Sequence, residues 1–381
     1  MLAGLLALSA AAAAPHDMSH MEATDRFRTM IHGYAFFTVN DQGGPSGDRR
    51  VFESQNHLMV QSQRRWLGGK LQLLGTFTLE PLTIRPEGSP LLFQRGETFE
   101  GELLVDRQHP HDLFLELAAR WERGRFALYA APLGEPAVGP TAYTHRASAA
   151  ANPLAPLAHH NQDSTHLTAD VVTLGFHAGP ISLEASGFHG EEPDENRFDI
   201  DQGPIDSYSG RITGRPLAGL TLQISAARRE HPEALEDGDQ TRQTASAEYA
   251  REIGGGSLAA TLIFGRNLLP AGQVERGDTL EVAWSFARRH TLFTRLERVD
   301  RDVYELLNKQ QRPEDVAAES TRIEAATLGY LRDLPFFSEA PAAVGATLTA
   351  YRYDDRLDAV YGSSPISITG FLRLTFMKHL P

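Results

Sequence analysis

Histidine offers the most chemistry in this chain, and its placement is uneven. His109, His111 and Asp112 fall in one short stretch. His145, His159, His160, Asp163 and His166 fall in the next polar stretch, and His189 opens a third that continues with Glu191, Glu192, Asp194 and Glu195. Neutral imidazole beside carboxylate is a ligand set for zinc, copper or nickel. A His-x-His pair in extended chain sets both rings on one side. His109, His111, Asp112, His159, His160, Asp163, His166 and His189 are therefore candidate metal ligands, if the fold brings the three stretches together. The competing reading is a set of solvated loop residues with local hydrogen bonds. No metalloenzyme spacing is present, and His-Glu-x-x-His is absent.

Near the N-terminus, His16-Asp17-Met18-Ser19-His20-Met21 combines imidazole and thioether, a pairing that suits copper. The alternative is a leader of chance composition. Catalytic constellations are weaker. Ser164 lies between Asp163 and His166, but members of a nucleophilic triad converge from separate segments. A Gly-x-Ser-x-Gly elbow is absent. Gly254-Gly255-Gly256 lacks the Lys-Ser/Thr of a phosphate loop and reads as a tight turn. The chain is read as a non-enzyme.

Composition narrows the setting. Cysteine is absent, which excludes a disulfide scaffold and suits an oxidising compartment. A net charge of -13 argues against nucleic acid as a partner. No apolar run reaches the roughly 18 residues of a membrane-spanning helix. Mean hydropathy is -0.31. Residues 1–14 read as a signal peptide, with an apolar Leu2 to Ala14 stretch ending in small residues. Residues 15–27 read as a flexible His/Met-containing segment, and 28–381 as one structural unit.

That unit must position the histidines, and its pattern is alternation. Ile366, Ile368, Gly370, Leu372, Leu374 and Phe376 fall on one face, against Ser367, Thr369, Phe371, Arg373 and Thr375. Leu71, Leu73, Gly75, Phe77 and Leu79 alternate in the same way, as do Leu280, Val282, Trp284 and Phe286. Leu113, Leu115, Leu117, Ala119 and Trp121 make another such face. Each is a strand with one apolar side. Connections take turns between short and long. Short ones fall at 66–69, 122–124, 178–179, 217–219, 252–256 and 288–290. Long polar ones fall at 41–50, 85–110, 136–165, 191–206, 231–239, 268–277, 302–321 and 354–365, and 333–341 is a longer turn. This is the pattern of an all-β transmembrane antiparallel barrel of about sixteen strands, with tight periplasmic turns and long outer loops. Trp66, Trp121 and Phe376 then mark the periplasmic rim, and Tyr351 and Tyr353 the outer one.

The inward face is polar and mixed in sign. It holds His32, Glu53, Gln55, His57, Gln61, Gln63, Gln72, Glu80, Glu116, Arg120, Glu184, Glu248, Glu281 and Arg373. Such a set would line a water-filled pore and select among permeants. In strand number and in its long third outer loop, 136–165, the chain resembles the general porins over roughly residues 28 to 377. That likeness is topological. It departs after Phe376, where Met377-Lys378-His379-Leu380-Pro381 follows the last aromatic. The stretches Gly134-Glu135-Pro136, Thr144-His145-Arg146 and 159–166 also resemble uncharacterised bacterial outer-membrane proteins.

The resemblance implies a bacterial outer-membrane location and a third loop folded into the barrel, narrowing its pore. The partners expected are outer-membrane lipid and small solutes or ions, with a homo-oligomer left open. The leading reading is a passive diffusion channel with a His-rich rim. The alternatives are a copper- or zinc-handling barrel and a closed structural or partner-binding barrel.

Overall fold

In the computed structural model, residues 23–163, 168–235, 238–335 and 341–380 are described. The signal-like stretch, His16, His20 and His166 lie outside the described residues.

Alternating side chains become strands throughout. In chain order they are β1 (Arg28–Asp41), β2 (Val51–Trp66), β3 (Gly69–Phe77), β4 (Ser89–Phe99), β5 (Glu102–Gln108), β6 (Phe114–Arg123) and β7 (Phe126–Gly134). Next come β8 (Thr168–Ala178), β9 (Ile181–Phe188), β10 (Ser207–Leu217), β11 (Leu220–Arg229), β12 (Gln240–Ile253) and β13 (Gly256–Leu268). The last are β14 (Val274–Phe286), β15 (His290–Asp302), β16 (Ser320–Leu334), β17 (Ala342–Arg352) and β18 (Ile366–Leu380). Hairpin β4–β5 stands alone, and the other sixteen strands form one closed barrel. It is sealed where β1 meets β18, with Gly33 opposite Phe376 and Val39 opposite Gly370. Closure leaves the described barrel strands without an open edge, so the ladder is satisfied strand to strand rather than by water.

One face of each strand carries the belt. Leu280, Trp284, Leu292, Leu296, Leu328, Leu348, Ile366, Ile368 and Leu372 are all exposed on the outside. Hydrocarbon is the solvent that matches so large an apolar surface. The intervening residues Thr279, Glu281, Thr327, Thr347, Ser367 and Thr369 point inward and are buried. Two inward rings lie directly over glycines, Phe293 on Gly329 and Phe371 on Gly345, where any Cβ would collide with them. The two-residue turns rely on glycines at positive φ, with Gly124 at 61° and Gly179 at 62°.

The eight long connections alternate with these turns as expected. They are L1 (42–50), L2 (78–113), L3 (135–167), L4 (189–206), L5 (230–239), L6 (269–273), L7 (303–319) and L8 (353–365). L6 is shorter than its sequence span because β13 and β14 extend to Leu268 and Val274.

Three readings are corrected. Glu80 is not on the barrel wall: β3 stops at Phe77, and Glu80 begins the short helix α1 (Glu80–Thr83) in L2. Leu115 does not face lipid. The β3–β6 register shifts by one residue between Thr76/Glu116 and Phe77/Phe114, so β6 carries an extra residue there and Leu115 lines an internal cavity. Tyr351 and Tyr353 do not form an outer girdle. They turn onto Phe93 of β4, with ring centroids 5.2 and 5.0 Å away.

Phe93 belongs to a hydrophobic core inside the outer mouth. Leu91, Leu92 and Val105 of L2, Leu154 and Leu157 of L3, Leu306 of L7 and Leu357 and Tyr361 of L8 pack there on Val299 and Ile323 of the wall. The loops thus form a folded cap, held by the same burial that builds a soluble core.

Candidate functional site

L3 crosses the lumen and is fastened on every side. After Gly134, the Ala137 N–H donates to Ser186 Oγ on β9 (2.7 Å) and the Gly139 N–H to Ser225 Oγ on β11 (2.8 Å). Arg146 follows, fully buried. Its guanidinium grips Glu281 on β14 through Nε (3.0 Å) and Nη2 (3.3 Å), and its Nη1 donates to Asp163 (2.6 Å) and to the Thr141 carbonyl (3.1 Å). Ser148 Oγ donates to Glu281 (3.0 Å) and lies 2.7 Å from Thr261 Oγ1 of β13. Further along, the Leu157 N–H donates to Glu297 on β15 (2.6 Å). Arg295 and Arg301 of that strand donate to the Leu154 (2.8 Å) and Leu157 (2.6 Å) carbonyls. Three strands further round the wall, Arg373 of β18 donates to the Ala150 carbonyl (3.1 Å). His145 packs edge-on against His57 of β2, centroids 4.8 Å apart. Ala151 sits among Phe36, Phe293, Leu331 and Phe371.

Beside L3 lies an internal cavity of about 40 Å³, lined by residues that include Tyr34, His57, Glu80, His111 and Tyr143. That is room for a few water molecules.

The residues read as pore-lining therefore separate. Glu281 and Arg373 hold L3, and Glu248 accepts from the Thr141 N–H (3.4 Å). Glu53 accepts from Ser89 Oγ of the β4–β5 hairpin (2.5 Å). Glu116 accepts from the Tyr129 hydroxyl (2.7 Å). Gln61 is buried, and Gln72 is half-buried opposite Arg120. Toward the periplasmic turns a charged row follows one register line: Lys70, Glu122, Ala127, Gly175, Glu184, Arg211. Lys70 meets Glu122 at 3.0 Å and Arg211 meets Glu184 at 2.9 Å. Arg120 bonds Glu122 (2.7 Å) and reaches toward Glu184 (3.9 Å) across the two small residues.

The histidines divide as well. His109, just past β5, meets His159 and His160 on the short helix α2 (His159–Gln162) of L3. One ring nitrogen from each lies within 4.8 Å of the other two. The His159 and His160 centroids are 4.1 Å apart, and His109 is 5.5 Å from His160. The His160 ring lies against Gly96 in β4, whose φ of +136° leaves bare backbone there. His111 stands beside His109, centroids 5.2 Å apart, but its Nδ1 is taken by Glu80 (2.6 Å). Asp163 serves Arg146, and Asp112 accepts from Arg197 (3.2 Å). His189 is held apart by Asp206 (3.0 Å).

Carboxylates set the local electrostatics of the mouth. Burial pushes Glu97 up to about 8, with Arg197 beside it (2.6 Å) opposing. Slight burial also raises Glu195, but the Gly101 N–H, Thr98 hydroxyl and Glu100 N–H outweigh it and hold this carboxyl below its ordinary range.

Among solved structures, the chain is similar to an anion-selective porin from Comamonas acidovorans. The TM-score is 0.51 at 10% identity, covering 92% of this chain and 99% of that one. It is also similar to outer-membrane expressed OmpT of Vibrio cholerae, with a TM-score of 0.50 at 11% identity over 93% and 99%. The fold is that of a bacterial outer-membrane porin. No family model and no curated protein matches the chain.

Within this porin fold, several residues of the site escaped the sequence reading. Arg146 is one lone arginine in a small-residue loop, and its partner Glu281 is 135 residues away. Gln94, whose side-chain amide lies 3.1 Å from His159 Nδ1, Gly96 and Glu97 sit in a hairpin that has no barrel partner and no distinctive alternation. Their neighbour His109 was the available signal.

Proposed function

We propose that the chain is an outer-membrane channel for small ions and polar solutes whose conduction is set by L3. The observation that carries this reading is how L3 is held: side chains fasten it across the lumen, and no strand of the ladder depends on it. It can therefore leave its seat while the barrel stays closed. Sixteen strands enclose more space than wall side chains fill, so an undocked L3 would open a water path. The charged row from Lys70 to Arg211 would then face that path and present both signs to a permeant.

The test is planar-bilayer recording of wild type and of a chain lacking 147–157. Wild type should conduct weakly or intermittently, and the deletion should conduct strongly and steadily. Heat-modifiable gel migration checks that both barrels are assembled. Two assembled, insulating barrels would overturn the reading in favour of a closed one.

A further inference from the structure

We infer that His109, His159 and His160 form a site for a zinc-like divalent transition metal that clamps L2 to L3 in the mouth of the barrel. The site does not depend on conduction; a sealed barrel could hold it equally well.

Three features support it. First, imidazoles from two loops converge. Their ring nitrogens lie within 4.8 Å of one another. A tetrahedral ion with bonds of about 2.0–2.1 Å needs ligand nitrogens about 3.3 Å apart. Closing that difference is what rotation of the three side chains would have to supply.

Second, the rings are aimed. The Nδ1 of His109 faces Glu97 Oε1 (3.1 Å) and the Pro110 carbonyl (3.2 Å). The Nδ1 of His159 faces the Pro156 carbonyl (2.7 Å), which is nearer to it than the Gln94 side-chain amide (3.1 Å). An Nδ1–H donated to such a carbonyl favours the tautomer whose lone pair sits on Nε2, the nitrogen a metal would use.

Third, the cluster is buried and closely seated. His109 and His159 are each 1% exposed. His160 fits only because Gly96 has no side chain. Solvated loop histidines need none of this. The guanidiniums of Arg242 and Arg301 are near, but they are occupied by the His160 and Leu157 carbonyls. Three histidines leave the fourth position of a tetrahedral ion to water.

The experiment is calorimetric titration of the refolded, full-length mature chain with zinc chloride, with cobalt(II) as a spectroscopic probe. Two other histidine-containing groups could take metal, so H16A/H20A and H231A serve as controls; His231 lies near Glu230 and Asp239 on the surface. One zinc per chain should bind in wild type and in both controls. His109→Ala and His160→Ala should each lower affinity by about 100-fold or more, with heat-modifiable migration unchanged. Cobalt-loaded wild type should show the intense visible bands of tetrahedral coordination, and His160→Ala should lose them. Absence of zinc uptake by wild type would overturn the assignment. So would uptake that survives both His109→Ala and His160→Ala. A barrel that binds zinc but never conducts would keep this site and refute the channel.

Discussion

Replacing Arg146 with Met should unseat L3 without unmaking the barrel. Arg146 is the only side chain of L3 that bridges one carboxylate on the wall and one on the loop itself, Glu281 and Asp163, among the described residues. Met fills a similar volume but carries no charge. Glu281 would keep Arg295 (3.0 Å) and Ser148 (3.0 Å), whereas Asp163 would keep the Tyr143 N–H (3.1 Å). Breaking a buried pair from one side costs about 3–5 kcal/mol, mostly for the charge left behind. The remaining partners of Glu281 place this case near the lower end. A cost of about 3 kcal/mol shifts the ratio of seated to unseated L3 by roughly 150-fold. Arg146→Lys keeps the charge but loses the two-pronged grip, and should fall between. Single-channel recording should show longer open dwell times in the order wild type, Lys, Met, and proteinase K should cut L3 faster in that order. Heat-modifiable migration should stay constant, because the ladder is untouched. If Arg146→Met leaves both dwell times and cleavage rates at wild-type values, Arg146 is not the fastening argued for here.

Other outcomes follow from the two faces of the wall and from its cap. Leu372→Arg, on the lipid side, should cost about 2–4 kcal/mol near the bilayer midplane, read from urea-dependent refolding into vesicles. Thr369→Arg should also be costly, because Thr369 is buried and donates to Asn40 (3.0 Å); a neutral effect would mean the inward face is wet. Gly329→Ala should cost about 1–3 kcal/mol by forcing the Phe293 ring aside, and unchanged refolding would refute that contact. Glu195 tethers L4 to the tip of the β4–β5 hairpin through the Thr98 hydroxyl (2.7 Å) and the Glu100 (2.7 Å) and Gly101 (2.9 Å) amides. Its carboxyl is held below the ordinary value of about 4.3. The tether is therefore fully present above that value and is lost as pH falls through the lower, folded one. Hydrogen-exchange protection of the Glu100 and Gly101 amides, corrected for intrinsic rate, should collapse in acid and hold at neutral pH. Equal protection at pH 7 and pH 2 would refute the tether.

The wall was legible because its code is local. Each strand shows its own period, and Leu280 to Phe286 or Ile366 to Phe376 can be assigned a face without knowing any neighbour. The face failed at Leu115, where one extra residue inverts the alternation and nothing in the composition announces it. The lumen was illegible for a different reason. A polar inward residue looks the same whether it meets water or a loop. Glu281 and Arg373 were correctly placed on the inside, but what they touch depends on the path of a segment far away in sequence. The histidines lay between these cases. Their clustering was visible, but only the seating of α2 against the hairpin decides that His109, His159 and His160 meet and that His189 does not.

The fastening of L3 also orders the birth of the molecule. Its anchors on β14, β15 and β18 follow it by 135, 140 and 223 residues. When β7 and β8 pair, L3 has its seats on β9 and β11 close at hand but none yet on the far wall. The later strands arrive carrying Glu281, Glu297 and Arg373, and each adds a grip on a segment made long before. In a sheet that closes from β7 toward β18, the loop would act as a mandrel around which the strands curl, with the grip from β18 completed as β18 meets β1. Shortening L3 would remove both the stopper and the internal guide, so the truncated chain that conducts best should also be the one that closes most slowly.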